Sequence, residues 1–253
     1  MKMTFDKNLF TQIGLDSASL TMLGGVTHRF LEPGQYRGVV YQGKESLGGF
    51  YINVDRNSAV AQANIDLAAF GTRPATPTAN SGDSGCGCHE EGAQALTKFE
   101  LNPKGYAVFH VSAGAGGYAV RVGKAAEDPK EQNQFDSREL KGDDIFSAVI
   151  LRPGTYSVTN VLGKGKGEVT VSYPKIGKTP YRPPNPVKVE CSERGCEPGK
   201  VELQPGQAVL FHCKVPSRIK LELLKAEDGP GRRDQHTRPG WKKAALPQKK
   251  GKA

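Results

Sequence analysis

Cys86-Gly87-Cys88-His89 places three soft or borderline ligands within four residues, a composition that suits zinc, copper or an iron–sulfur cluster. Two further thiols, Cys191 and Cys196, bracket a short segment that contains Gly195. A closed zinc site needs four ligands, and Cys86, Cys88 or His89 together with Cys191 and Cys196 supply that number if their loops meet. Plain thiol chemistry accounts for the same residues. Cys191 and Cys196 can close a local disulfide, whereas Cys86 and Cys88 are too near each other in sequence for an unstrained one. Cys213 follows the apolar run Val209-Leu210-Phe211 and reads as a buried free thiol. Both readings stand. No secretory pattern is visible at the start of the sequence, which points to a reducing cytoplasmic compartment and so favours the metal.

The run Cys86-Gly87-Cys88-His89 resembles, over these four residues, the second ligand box of Rieske iron–sulfur proteins, in which a C-x-C-H segment supplies one Cys and one His ligand. The first box of that family, C-x-H-x-G-C, has no counterpart upstream of Cys86. Cys191-Ser192-Glu193-Arg194-Gly195-Cys196 has its outline, but Glu193 stands where His is required and the chain order is reversed. A c-type haem attachment needs C-x-x-C-H, one residue more than is present. There is no Gly-x-Ser-x-Gly elbow, no HExxH and no Walker loop, so the chain is expected not to be an enzyme.

The charge is concentrated elsewhere. The chain has 253 residues with Lys+Arg 35 against Asp+Glu 26, a net charge of +9. In the last 25 residues, eight basic side chains face only Asp234, which gives +7 and leaves +2 for residues 1–228. That segment also holds the single tryptophan, Trp241, and three prolines. It has too little apolar surface to offset its own ordering entropy, so it is expected to stay disordered until a partner orders it. Arg232, Arg233, Arg238, Trp241, Lys242 and Lys243 are the candidate partner-binding residues. A protein partner in a larger assembly is favoured, because a near-neutral body lacks the broad basic face of a dedicated nucleic-acid binder. Nucleic acid or an anionic membrane surface is the alternative for the tail, and no apolar run is long enough for a transmembrane segment.

The elements that must position these residues are short strands. A unit that enters a Pro-Gly turn and leaves with period-2 alternation occurs four times, around Pro33, Pro103, Pro153 and Pro205. Further alternating segments follow each copy, and Gly114–Gly117 and Gly163–Gly167 carry hairpin chemistry. The expected fold is all-β: an antiparallel β-sandwich, as two sandwich-like modules built from repeated Pro-Gly-turn hairpins. The expected divisions are an N-terminal lead-in over 1–28, module 1 over 29–123 with a mobile Cys-containing loop at 71–97, a polar linker over 124–145, module 2 over 146–228 and the basic tail over 229–253. The function this implies is a non-catalytic structural or accessory subunit of a larger complex, cytoplasmic and peripheral to a membrane complex if membrane-associated. The alternative is a zinc or iron–sulfur redox protein using the Cys86/Cys88/His89 loop.

Overall fold

A computed structural model describes residues 11–71, 96–125, 133–174 and 180–227. The Cys86–His89 loop and the basic tail lie outside these residues. Alternating apolar and polar side chains produce strands almost throughout, and several bury every second residue along their length, as in the strand Gly154–Asn160. In chain order the strands are β1 (Gly14–Asp16), β2 (Gly24–Arg29), β3 (Gly34–Gln42), β4 (Glu45–Val54), β5 (Gln62–Asp66), β6 (Thr97–Leu101), β7 (Tyr106–His110) and β8 (Tyr118–Lys124). They continue as β9 (Asn133–Asp136), β10 (Asp144–Val149), β11 (Gly154–Asn160), β12 (Lys166–Val171), β13 (Val187–Ser192), β14 (Gly195–Glu197), β15 (Lys200–Leu203), β16 (Ala208–Cys213) and β17 (Ile219–Ala226). One helical turn, α1 (Ala68–Gly71), follows β5.

The all-β expectation holds, with three open sheets. One has the order β6-β4-β3-β8-β9, a second β1-β17-β11-β12-β15, and a seven-stranded sheet has the order β14-β13-β16-β10-β2-β7-β5. They are mixed rather than purely antiparallel, since β4/β6, β12/β15, β5/β7 and β13/β16 pair in parallel. The parallel pairs arise because the chain visits another sheet between their two strands, as β5 does between β4 and β6. For the same reason the four Pro-Gly turns are corners rather than hairpins: each joins strands of different sheets, β2 to β3, β6 to β7, β10 to β11 and β15 to β16. Gly206 takes the positive φ of 82° that such a turn demands, and Lys104 takes 70° at the matching place. The Gly114–Gly117 run is likewise a corner, whereas Gly163–Gly167 does close the β11–β12 hairpin.

The strands follow one another twice in nearly the same way. Leu15-Asp16-Ser17 and Phe135-Asp136-Ser137, Leu20 and Leu140, Pro33-Gly34 and Pro153-Gly154, and Tyr36 and Tyr156 each stand 120 positions apart, as 136 is to 16. The two tyrosines do the same work: the Tyr36 hydroxyl donates to the Glu32 carbonyl at 2.9 Å and that of Tyr156 to the Arg152 carbonyl at 2.8 Å. Where the halves meet, β2 and β10 pair with Val26 opposite Phe146. These two are themselves equivalent residues, so a local twofold passes between them.

Each half gives its first strand to the other. β1 pairs with β17 of the second half, and β9, within the stretch read as linker, pairs with β8 of the first. The two exchanged strands are held alike. Ser17 donates its N–H to the Ile219 carbonyl at 2.9 Å and accepts the Ile219 N–H on its hydroxyl at 3.1 Å. Ser137 makes the same exchange with Val120, at 3.0 Å in both directions. Asp16 and Asp136 cap the following turn by accepting the Ala18 and Arg138 N–H groups. Beyond this the two differ: Asp16 also binds Arg218 through both carboxylate oxygens, at 3.1 and 2.7 Å, whereas Asp136 meets Arg121 only at 3.6 Å.

Aromatic side chains carry the core between facing sheets. Phe109 of the seven-stranded sheet stacks on Phe135 of β9 with centroids 5.3 Å apart and lies 6.1 Å from Phe50 of β4. Gly38 is required under Phe50, because a Cβ there would sit 2.1 Å from its ring. On the other side, Val158 and Val169 line one small cavity with Val189, Cys196 and Phe211. Burying each such side chain contributes about 1.5–3 kcal/mol.

Candidate functional site

Strand pairing within the seven-stranded sheet assembles a row of reactive side chains that no stretch of sequence displays. Cys196 on β14 is opposite Cys191 on β13, Cys191 is opposite Cys213 on β16, and Cys213 is opposite Asp144 on β10. The row ends on β2, where His28 donates from Nδ1 to Asp144 Oδ1 at 2.6 Å. Directly paired residues project to the same face of a sheet, and this face is the core: Cys196 is 6% exposed, Cys191 1%, Cys213 0%, Asp144 2% and His28 8%. All three thiols are free.

The surroundings determine what each group can do. Asp144 is held by His28 and by the Lys141 N–H, which donates to its second oxygen at 2.9 Å. His28 lies between the rings of Phe30 and Phe135, each 4.8 Å away, and its Nε2 is buried with no partner. Burial pushes the Cys213 thiol up to about 12; the Asp144 charge adds to this and a hydrogen bond with Ser217 opposes it. The hydrogen bond from Cys191 to the Cys196 sulfur raises the first thiol, which burial raises further, and holds the second below the ordinary range. A thiol nucleophile is normally activated by an imidazole next to it. Here the carboxylate stands between thiol and imidazole, so Cys213 is kept protonated rather than activated.

Of the candidate metal ligands, the fold brings Cys191 and Cys196 together. Cys86, Cys88 and His89 lie outside the described residues, as do Arg232, Arg233, Arg238, Trp241, Lys242 and Lys243. Among the described residues no group of three or more His, Cys, Asp or Glu side chains is placed to hold a metal ion. In the sequence Asp144 stands beside Asp143 as an acidic pair with no recognisable partner, and nothing there joins it to His28. The 120-residue correspondence is the signal that exposes them: the twofold carries the Asp144–His28 pair onto Gly24 and Ala148, which also face each other. A polar pair therefore stands in one half where the other half is small and apolar.

Among the described residues no helix is long and apolar enough to cross a membrane. Comparison of the chain with protein-family models, with curated proteins and with solved structures finds no match in any of the three.

Proposed function

We propose that the protein is a non-catalytic structural or accessory subunit: a body of two β-sandwich modules that trade strands β1 and β9, and a basic tail over 229–253 that docks on a protein partner. The observation that carries this reading is the reciprocal exchange of β1 and β9, which commits the polar groups of both strands to holding the two halves together. Such a body suits a scaffold, whose task is to keep a fixed shape while a charged segment engages another molecule. Arg232, Arg233, Arg238, Trp241, Lys242 and Lys243 are the contact residues of this proposal, with Trp241 as the apolar anchor among cations.

Deleting Gly229–Ala253 is expected to abolish co-purification with the partner while the far-ultraviolet strand signature of the body stays unchanged. Association that survives the deletion would rule the docking role out.

The adjacency of Cys191 and Cys196 supports a second reading, a zinc or iron–sulfur redox protein completed by Cys86, Cys88 or His89. Elemental analysis of natively purified protein decides it: near-stoichiometric zinc or iron supports a metal centre, and trace metal removes it.

A further inference from the structure

The tip of the β13–β14 hairpin places two thiols in the one relation between antiparallel strands that a disulfide can bridge directly. Glu193 and Arg194 form a two-residue turn, Ser192 and Gly195 close it, and Cys191 and Cys196 are the next pair inward. The Cys191 carbonyl accepts the Lys214 N–H at 2.9 Å, so this residue's backbone groups point toward β16 and away from β14. Cys191 and Cys196 are therefore a non-hydrogen-bonded pair, in which α-carbons lie about 4.5 Å apart and side chains approach most closely. Disulfides span about 4.4–6.8 Å between α-carbons.

We propose that Cys191 and Cys196 form a reversible dithiol–disulfide site, oxidised by a small-molecule disulfide of the glutathione type. The Cys196 thiolate attacks one sulfur of the oxidant and releases one thiol, which leaves a mixed disulfide on Cys196. The Cys191 sulfur then loses its proton and attacks Cys196, and the second thiol leaves. The protein gives up two electrons and two protons, and the two released thiols carry both.

The roles of the two cysteines follow from their positions. β14 is a three-residue strand at the edge of its sheet. The Cys196 sulfur packs against Gly165 in the β11–β12 turn, where an added Cβ would lie 2.9 Å from it. Local opening of a short edge strand needs far less than global unfolding and admits a small oxidant. Cys191, on the next strand inward, has neighbours on both sides and is the resolving thiol. Cys213 also pairs with Cys191, but it lies on β16, inside the sheet between β13 and β10, where a small oxidant has no edge to enter by.

Arg194 lies between the two cysteines, so trypsin separates Val189–Arg194, which carries Cys191, from Gly195–Lys200, which carries Cys196. Native full-length protein is incubated with oxidised glutathione, its remaining thiols are alkylated, and it is digested and weighed by mass spectrometry. The two peptides are expected to appear joined as their dominant form and to separate on reduction. Recovery of both as alkylated single peptides, a bond from either to Cys86, Cys88 or Cys213, or a linked pair that forms only in urea would each overturn the proposal. In Cys191→Ser, glutathione is expected to remain on Cys196. In Cys196→Ser, Cys191 is expected to remain alkylatable. Equal loading of glutathione on the two variants would overturn the assignment of the attacking thiol.

Discussion

Cys213 and Asp144 sit side by side in the core, so the thiol cannot ionise without placing two negative charges together away from water. The Cys213 thiol is raised from 9.0 to about 12 in the fold, so it binds its proton more tightly there than in the unfolded chain. Its contribution to stability is therefore complete below the unfolded value and is lost as pH rises from about 9 toward 12. Cys191, Tyr36 and Tyr156 are also raised, so the effect of Cys213 is isolated by comparison with Cys213→Ala under reducing conditions. The stability gap between parent and variant, measured by urea unfolding at a series of pH values, is expected to shrink through this window by at most about 1.4 kcal/mol per pH unit. A gap that stays constant would show that Cys213 does not titrate there. At this scale the sequence was informative only where neighbours in the chain are neighbours in space. Cys191 and Cys196 fall together because a two-residue turn separates their strands. His28 and Asp144 are 116 residues apart, and only the register of β2 against β10 brings them together.

The two exchanged strands share one chemistry and differ in the strength of one clamp. Ser17 and Ser137 are fully buried, and each satisfies a backbone N–H that would otherwise have no partner inside the core. Leaving such a group unpaired costs about 1–3 kcal/mol. Ser17→Ala and Ser137→Ala are each expected to lose stability of that order. The arginines are expected to differ, because Arg218 grips Asp16 through two hydrogen bonds while Arg121 is 53% exposed and 3.6 Å from Asp136. Arg218→Ala should cost about 1 kcal/mol and Arg121→Ala close to none. Denaturant midpoints for the four variants test both statements, and a larger loss for Arg121→Ala than for Arg218→Ala would contradict the reading of the clamps. Strand content was legible here from alternation alone. The corners were not, because a Pro-Gly turn has the same local chemistry whether the chain folds back in its own sheet or crosses to the next. The choice is made by the strand after the turn, through its long-range pairing.

For the whole molecule, the seven-stranded sheet takes strands from both halves, and the buried side chains form one continuous cluster. Neither half can unfold without uncovering the other. Calorimetry is expected to show a single transition whose calorimetric and van't Hoff enthalpies agree, and two separable transitions would mean that the halves melt independently. The 120-residue echo was present in the sequence, yet the four shorter Pro-Gly units obscured it, since the spacings of their prolines, 70, 50 and 52 residues, suggest no common period. The exchange of β1 and β9 has a consequence for how association is counted. Halves that trade strands are partners held by mass action, and the residues between Lys124 and Asn133 turn that bimolecular equilibrium into an intramolecular one with a fixed effective concentration. A chain cut between those two residues should behave as a heterodimer whose melting temperature falls on dilution, while that of the intact chain does not.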